Sequence, residues 1–309
     1  MKVFDKKDLL KLYTPPKNST GEDNGQITII GGSKLFHGAP LLSLIAASKF
    51  VDMVFFASPD PSVGEVASKL KSRLSSFIWV PWEDVEHYIE KSDAILIGPG
   101  FMRYETESRD IKSSIKNKIL NIRNPKLNML DKAGKETYEI TAHLLTKYRD
   151  KKWVIDAGSL QVMEANWIPK NAILTPNKKE FEMLCGNKQL TVGSKGNSQT
   201  ANHMLQAASK MAKKYYCTIV LKGPETIVVS PDEVVIVKGG NAGLTKGGTG
   251  DTLAGLTVAL LAKNDAFLAA TSASYILKFT ADKLFETVGV NYSADDLASS
   301  IPLYLKKLI

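Results

Sequence analysis

Short apolar runs alternate with amphipathic stretches along most of the 309 residues. The apolar runs are continuous and rich in Ile, Val and Phe, which is typical of strands covered on both faces. We therefore predict strands at Ile27–Ile30, Met53–Ala57, Phe77–Val80, Ala94–Gly98, Trp153–Asp156, Ala172–Thr175 and Thr218–Lys222. The intervening stretches predict helices at Ala39–Phe50, Val63–Ser75, Glu180–Cys185 and Gln199–Tyr215. This alternation predicts an α/β fold with a mostly parallel central sheet between helices.

The pattern changes after Lys222. The runs Glu225–Ser230 and Glu233–Lys238 flank a Pro-Asp turn and predict an antiparallel hairpin at the edge of the sheet. The last third of the chain predicts helices at Asp251–Lys263, Ala266–Glu286 and Asp295–Leu308, with Ser293 and Asp296 capping the last one. Because no repeat or linker interrupts the pattern, we expect a single domain over residues 1–309.

The composition limits the classes of protein that this chain can belong to. Hydrophobic residues make up 44% and charged residues 23%, as in ordinary globular proteins. No window approaches the roughly 18 consecutive apolar residues of a membrane span, and the N-terminal residues lack the apolar run of a secretory signal. Cys185 and Cys217 are too few and too far apart for a disulfide framework or a zinc site. We expect a cytoplasmic protein without a membrane partner.

The net charge of +8 raises the question of a nucleic-acid partner. Residues 103–152 hold 13 Lys and Arg against 7 Asp and Glu, and this difference of 6 is most of the excess. The stretch has few aromatic residues and matches no nucleic-acid-binding motif. We interpret it as a basic insertion or peripheral segment with a solvated face, and expect no nucleic-acid partner.

The most informative stretch is a glycine-rich loop that opens the predicted helix at Asp251. Glycines allow a tight turn, and the unpaired N–H groups and positive dipole end of a helix N-terminus attract anions. We therefore predict a phosphoryl-binding anion hole made by Gly247, Gly248, Thr249 and Gly250. A carboxylate beside such a site is suited to act as a general base, which predicts a catalytic Asp251. The alternative is a plain strand-to-helix turn with an acidic first turn.

Two common nucleotide motifs are missing from the chain. No Gly-Lys-Ser/Thr follows the glycines, so the loop is not a Walker A motif, and no Gly-x-Gly-x-x-Gly stands at the first strand-to-helix turn. The sequence thus argues against P-loop and dehydrogenase chemistry.

Together with five other segments, the loop resembles the ADP/ATP-dependent NAD(P)H-hydrate dehydratases of the ribokinase-like superfamily. The matching segments, in order, are Ile29–Ser33 with Gly38–Pro40, Ile97–Gly100, Val154–Ala157, Leu174–Pro176 with Glu180-Phe181, and Leu221–Gly223 with Thr226. The resemblance covers roughly residues 20–290. It implies a ribokinase-like three-layer α/β sandwich whose sheet carries an antiparallel edge hairpin.

The resemblance also implies roles for particular residues. ADP (or ATP) would be bound by Lys222, Gly223, Pro224, Glu225, Thr226 and Gly250, and the hydrated dinucleotide, NADHX or NADPHX, by Ala39, Gly100, Asn177 and Asp251. The phosphoryl group would pass to the C6 hydroxyl of the hydrate, and its loss as phosphate would regenerate NAD(P)H. Mg²⁺ would neutralise the diphosphate without a metal site on the protein, and a homo-oligomer is expected. Because the first predicted strand begins at Ile27, we expect no epimerase domain, which some of these dehydratases carry.

The chain departs from the family pattern at two positions in these segments. Asn177 stands where the family usually has His, and Gly158 stands where it has a second Asp. Two alternatives therefore stay open: a small-molecule kinase for a vitamin precursor of the hydroxymethylpyrimidine or thiazole type, and a nucleotide-binding regulator without catalysis. The order and spacing of the Gly31 and Gly98 segments favour the dehydratase.

Three further side chains have both a functional and a plain interpretation. Lys246 is either a phosphate contact or an exposed lysine, and His37 is either a hydrate contact or a surface histidine. Asn241 either binds ligand or shapes a turn.

Overall fold

The fold is taken from a computed structural model, which describes residues 1–103, 130–185 and 198–309. The strands are β1 Lys2–Val3, β2 Gln26–Ile30, β3 Met53–Ala57, β4 Ile78–Trp79, β5 Ala94–Ile97, β6 Lys152–Ile155, β7 Ile173–Leu174, β8 Thr218–Leu221, β9 Thr226–Val229 and β10 Val234–Val237. The helices are α1 Gly38–Ala47, α2 Pro61–Leu70, α3 Val85–Lys91, α4 Lys132–Lys147, α5 Ala157–Val162, α6 Lys178–Cys185, α7 Ser198–Tyr215, α8 Thr249–Lys263, α9 Ala266–Val288 and α10 Ala294–Leu305. Every strand and helix predicted above is present, with small shifts at the ends.

Within the described ranges, the ten strands form one sheet in the order β1-β10-β9-β8-β7-β6-β5-β2-β3-β4. The strands from β8 to β4 are parallel to one another, while β9 is antiparallel to both β8 and β10. The mostly parallel sheet with an antiparallel hairpin is confirmed. The hairpin is not the outermost element, because β1 pairs in parallel with β10. Two exposed residues give no apolar pattern, so the sequence did not predict β1.

Successive residues of the central strands face two different cores. Ile27 and Ile29 belong to a core with α1, α2, α8, α9 and α10, whereas Ile30 belongs to a second core with helices α3 to α7. Val154 and Ile155 on β6 divide in the same way. The strands are continuous apolar runs because both faces are covered, and the predicted three-layer arrangement is confirmed.

Helix α8 places the glycine-rich loop at the carboxyl edge of the sheet. Nearly the whole helix is buried, and it packs beside α1 in the first core. The Ser43 hydroxyl of α1 donates a hydrogen bond of 2.8 Å to the carbonyl of Asp251. This contact fixes the first turn of α8 against α1.

The second half of the basic stretch is part of the helical layers. Helix α4 buries Thr141, Leu144 and Leu145, the last two in the second core, and Lys152 begins β6. Residues 104–129, to which the interpretation as an insertion also applies, lie outside the described residues.

Helix capping, the state of the cysteines and the hydropathy of the helices complete the description of the fold. Ser293 and Asp296 form a capping box at the start of α10. Both cysteines are free, and burial raises the pKa of the Cys185 thiol to about 11 and that of the Cys217 thiol to about 12. Among the helices of the described ranges, none has the length and apolar character that crossing a membrane requires.

Candidate active site

Four chain segments meet at the carboxyl edge of the parallel strands. Asp156 follows β6, Thr175 and Asn177 follow β7, and Lys222 follows β8. The N-terminus of α8 lies at the same edge, within hydrogen-bonding or electrostatic reach of these side chains. Parallel strands all end on one side of a sheet, which is why residues distant in sequence converge here.

Residues 247–250 form a turn, called the glycine loop below, that only certain residues can occupy. Gly248 has a φ of +94°, and a Cβ there would lie 2.3 Å from Leu42 Cδ1. A Cβ at Gly247, in contrast, would have no atom within 4 Å, so this part of the loop faces open space. The turn therefore requires glycine at 248 and leaves room for a ligand at 247.

Three of the four N–H groups of the glycine loop are free to bind an anion, whereas Thr249 N donates to Lys246 O at 3.4 Å. Thr252 N donates to Gly248 O at 2.9 Å, at the first turn of α8. Among the described residues, no acceptor lies in hydrogen-bonding position for the N–H groups of Gly247, Gly248 and Gly250. The hydroxyl of Thr249 is used differently, because it donates to carbonyls of the preceding turn and holds the loop closed. Unpaired donors at a helix N-terminus are the features of an anion site.

A cavity of about 700 Å³ opens between the β8–β9 turn and the loop before the glycine loop. We call it the hairpin cavity. Its size falls within the range of pockets for nucleotide-sized ligands. Of the predicted nucleotide-binding residues, the cavity is lined by Lys222, Gly223, Pro224, Thr226 and Gly250. Glu225, the sixth, is exposed and does not line the cavity.

A buried ion pair connects the strand ends to this cavity. Asp156 is only 1% exposed and accepts hydrogen bonds from Thr175 Oγ1 at 2.7 Å and from Lys222 Nζ at 2.8 Å. Lys222 Nζ also lies 3.9 Å from Glu180 Oε2. Burial alone would lower the pKa of Lys222, but the Asp156 and Glu180 carboxylates outweigh it and raise that pKa. Lys222 therefore stays positively charged at the wall of the cavity.

The same groups shift the titration of Asp251. Burial and the nearby negative charge of Asp156 raise the pKa of the Asp251 carboxyl from 3.8 to about 7, although Lys222 opposes the shift. A carboxyl group with a pKa near neutrality is both ionised often enough and basic enough to accept a proton at neutral pH. The side chain that the sequence singled out thus has the proton affinity of a general base.

Asn177 and Glu180 cap helix α6 reciprocally. Glu180 N donates to Asn177 Oδ1 at 3.0 Å, and Asn177 N donates to Glu180 Oε2 at 2.8 Å. This reciprocal pair of hydrogen bonds has the geometry of a capping box. Asn177 also lines the hairpin cavity, so the structure places it with Lys222 and Gly250.

Of the other predicted substrate-binding residues, Ala39 lies at the start of α1 and Gly100 lies in the loop after β5. Gly100 packs against the carbonyl of Phe36 and the ring of Pro40. Residues next to these two positions line a second cavity of about 640 Å³, called the loop cavity, whose walls are Gly32–Leu35, Pro59–Pro61, Phe101-Met102 and one face of α4. The predicted hydrate-binding residues are therefore divided, with Asn177 at one cavity and Ala39 and Gly100 beside the other.

Close packing explains the glycine at position 158. A Cβ at Gly158 would lie 2.3 Å from the carbonyl oxygen of Phe101 and 2.6 Å from its Cβ. No side chain fits unless the 98–102 loop moves. The close contact between these two loops therefore leaves no room for the second aspartate of the family pattern.

Three side chains with open interpretations are used in contacts within the protein. Lys246 Nζ donates to the carbonyls of Val290 and Tyr292 at 2.5 and 2.6 Å. Asn241 Oδ1 accepts from Gly243 N at 3.0 Å and from the Tyr292 hydroxyl at 2.8 Å, which shapes the turn before the glycine loop. The ring of His37 pairs with Ser62 Oγ at 3.1 Å.

Sequence reasoning missed several residues of the site. The buried carboxylate of Asp156 and the hydroxyl of Thr175 were not assigned a role, although each is the last residue of a predicted strand. Ser274, Leu277 and Lys278 line the hairpin cavity from α9. A lysine on an otherwise apolar helix face was the one local signal for Lys278.

The described residues do not form a resident metal site. Within residues 1–103, 130–185 and 198–309, no group of three or more His, Cys, Asp or Glu side chains could hold a metal ion. Asp156 is already paired with Lys222, and Glu180 accepts from the backbone of Asn177. The donor set therefore does not fit a metal ion bound by protein ligands alone.

Comparisons with solved structures identify the fold. A ribokinase-like superfamily protein of Enterococcus faecalis matches with a TM-score of 0.77 and 21% identity, over 99% of this chain and 96% of the other. The ADP/ATP-dependent NAD(P)H-hydrate dehydratase of Bacillus subtilis, co-crystallised with ATP/Mg²⁺, matches with a TM-score of 0.75 and 20% identity, over 100% and 99%. The predicted ribokinase-like fold is confirmed.

Comparisons of sequence identify relatives. The bifunctional NAD(P)H-hydrate repair enzyme Nnr of Methanocaldococcus jannaschii is 34% identical over 97% of this chain and 52% of its own length. The chain thus spans about half the length of this relative. The ADP-dependent (S)-NAD(P)H-hydrate dehydratase of Nitrosopumilus maritimus is 27% identical over 96% of this chain and 95% of its own. The model of one protein family matches residues 27–303, and on that match the chain belongs to the NAD(P)H-hydrate dehydratase family.

Proposed function

We propose that this protein catalyses the ADP-dependent dehydration of hydrated NAD(P)H, NADHX or NADPHX, to NAD(P)H, with release of AMP and phosphate. One observation carries the proposal: a carboxyl group with a pKa of about 7 stands on a glycine loop with free N–H groups, beside a nucleotide-sized cavity. Membership of the dehydratase family supports the choice of substrate.

The hairpin cavity is the proposed nucleotide site. Its apolar part, which includes Leu244, Leu253 and Leu277, would receive the base, and its polar part at Lys222 and Gly250 would receive the phosphates. The free N–H groups of the glycine loop would bind the phosphoryl group in transfer, where negative charge accumulates. Mg²⁺ would arrive bound to the phosphates, as part of the nucleotide substrate.

Asp251 is proposed to accept the proton of the C6 hydroxyl as its oxygen attacks the β-phosphorus of ADP. The bond between that phosphorus and the bridging oxygen breaks, and AMP leaves with the electron pair. In the second stage the C6–O bond breaks and phosphate leaves, because the lone pair of the ring nitrogen stabilises the resulting cation. Loss of a proton from C5 then forms the C5=C6 double bond of NAD(P)H.

The hydrate would reach Asp251 from the side of α1. Ser43 bonds to the backbone of Asp251, and one turn earlier on the same helix lies Ala39, close to Gly100. The loop cavity next to Gly100 would hold the rest of the dinucleotide. A single domain, a homo-oligomeric state and a cytoplasmic location stay predictions from the sequence.

The proposal is tested by the recovery of dihydronicotinamide absorbance from a hydrated-NADH preparation, with ADP, ATP or no nucleotide. We expect recovery that requires ADP and releases equal amounts of AMP and phosphate. Recovery with ATP alone would change the donor and keep the reaction. Nucleotide binding without recovery from either hydrate would refute the proposal, and a screen of hydroxymethyl substrates would then test the kinase alternative.

The role of the base is tested by Asp251→Asn. Loss of a general base lowers turnover by about 10²–10⁴-fold, and the affinity for AMP is expected to stay within about threefold because the cavity walls are unchanged. Asp295→Asn is a matched control, since Asp295 is an exposed acidic residue in the first turn of α10. Equal losses of turnover and AMP affinity in Asp251→Asn would contradict the assignment.

A further inference from the structure

Helix α9 carries a buried lysine that bonds only to backbone carbonyls. Lys278 is 5% exposed, and its ammonium donates to Pro224 O at 2.6 Å, Gly239 O at 2.9 Å and Gly223 O at 3.5 Å. An ammonium has three donors, so all of them are used. Within the described part of the chain, no carboxylate lies close enough to Lys278 to form an ion pair.

The three carbonyls come from opposite walls of the hairpin cavity. Gly223 and Pro224 belong to the turn between β8 and β9, whereas Gly239 belongs to the segment that leads from β10 toward the glycine loop. Lys278 itself lines the cavity between them. The antiparallel pairing of β9 with β10 ends at Thr226 and Val237, and Lys278 joins the two segments beyond that end.

Asp282, one turn further along α9, extends the same connection. Its Oδ2 accepts from Gly240 N at 2.9 Å, and its Oδ1 accepts from Asn241 Nδ2 at 3.3 Å. The two side chains share a helix face because residues four apart do so. We call Lys278 and Asp282 the α9 clasp.

Burying an ammonium group without a carboxylate partner costs free energy that an apolar side chain would not cost. Burial lowers the pKa of Lys278, with the more distant charges of Asp282 and Glu225 opposing the shift. Methionine has a similar length and would fill the space. We therefore attribute the presence of the Lys278 ammonium to its bonds with the two walls of the cavity.

We propose that Lys278 and Asp282 are positioning residues that hold the two walls of the hairpin cavity at the separation that an adenine nucleotide requires. They act through the wall backbone and not on the transferred phosphoryl group, so they set nucleotide affinity more than turnover. This inference rests on the proposed nucleotide role of the cavity.

The test compares Lys278→Met with Lys283→Met. Lys283 is on the same helix, but it pairs with Glu286 at the surface and does not line the cavity. ADP and AMP binding are measured by calorimetry, and KM and kcat by recovery of NADH from its hydrate. For Lys278→Met we expect an affinity for both nucleotides about tenfold weaker, since three bonds to a charged donor are lost. We expect kcat to stay within about twofold at saturating ADP. Lys283→Met is expected to match the wild type.

The outcomes separate this inference from the proposed function. Wild-type affinity in a folded Lys278→Met variant, or a kcat that falls with KM unchanged, would overturn the proposed positioning role of Lys278. If Lys278→Met does not fold, the Asp282→Asn variant is the deciding test. A nucleotide affinity about threefold weaker at unchanged kcat would support the positioning role, and wild-type affinity would overturn it. A wild-type protein that binds ADP but does not dehydrate the hydrate refutes the proposed function alone. The binding data on the variants then still test the positioning role of Lys278 and Asp282. A wild-type protein that binds neither nucleotide overturns both.

Discussion

Removing the charge of Asp251 should make the protein more stable at alkaline pH. The folded protein raises the pKa of this carboxyl from 3.8 to about 7, chiefly through burial and the charge of Asp156. The folded form therefore holds a proton between these two pH values that the unfolded chain has lost. Stability contributed by this proton is complete below pH 3.8 and is lost as the pH rises through 7.

The magnitude follows from the size of the shift. A rise of about three units corresponds to a cost of up to about 4 kcal/mol for the ionised Asp251 in the folded state. Asp251→Asn removes this cost because an amide does not ionise. At pH 8 the variant should therefore unfold at a higher urea concentration than the wild type, and near pH 4 the two should converge.

The assay is urea denaturation of the wild type, Asp251→Asn and the surface control Asp295→Asn across this pH range. We expect the gain of Asp251→Asn to grow between pH 4 and pH 8 and Asp295→Asn to show no such growth. A gain that is equal at all pH values would mean that a general packing effect, and not the buried charge, stabilises the variant. Absence of any gain at pH 8 would refute the reasoning about the site.

Three further predictions concern the charges and the packing around Asp251. Asp156→Asn should lower the pH of half-maximal activity on the acid side by about one unit in a pH–rate profile. Thr175→Val, which keeps the charge of Asp156, should leave this pH unchanged. Equal shifts in both variants would contradict the assignment of the raised pKa of Asp251 to the charge of Asp156. Lys222→Met should lower the free energy of unfolding, measured in urea, by about 3 kcal/mol because it leaves Asp156 unpaired. Adding Asp156→Asn should restore most of this loss. Additive losses in the double variant would exclude an energetic coupling between Lys222 and Asp156. Gly158→Asp should lower the free energy of unfolding by about 2 kcal/mol or more, because the new side chain would collide with Phe101. An unchanged midpoint of urea denaturation would show that the 98–102 loop moves at little cost.

The sequence predicted the layers of the fold because each central strand is buried on both faces. Helix α8 was equally clear, since its residues 253–262 are mostly Ala, Val and Leu and are all buried. Helices α3 and α4 were not predicted: both bury a narrow stripe and carry charges on the rest of their surface. In the case of α4 the high local charge obscured that stripe.

Local patterns predicted only those parts of the site whose residues are close along the chain. The family resemblance also grouped Lys222–Thr226 with Gly250, and most of these residues line one cavity. The glycine loop and Asp251 form one continuous motif, so their proximity was certain. The pairing of Asp156 with Lys222 depends on β7 lying between β6 and β8, which no local pattern reveals. The contact of Gly158 with Phe101 likewise depends on how two loops pack.

The charges at the strand ends constrain what can accompany a nucleotide into the site. Three carboxyl groups, those of Asp156, Glu180 and Asp251, act on the ammonium of Lys222. A polyphosphate adds further negative charge to this surplus. Charge balance then requires a cation to enter with it, either a proton taken up by Asp251 or a metal ion carried on the phosphates. For the proposed nucleotide site, we therefore expect the affinity to depend on both pH and divalent-ion concentration.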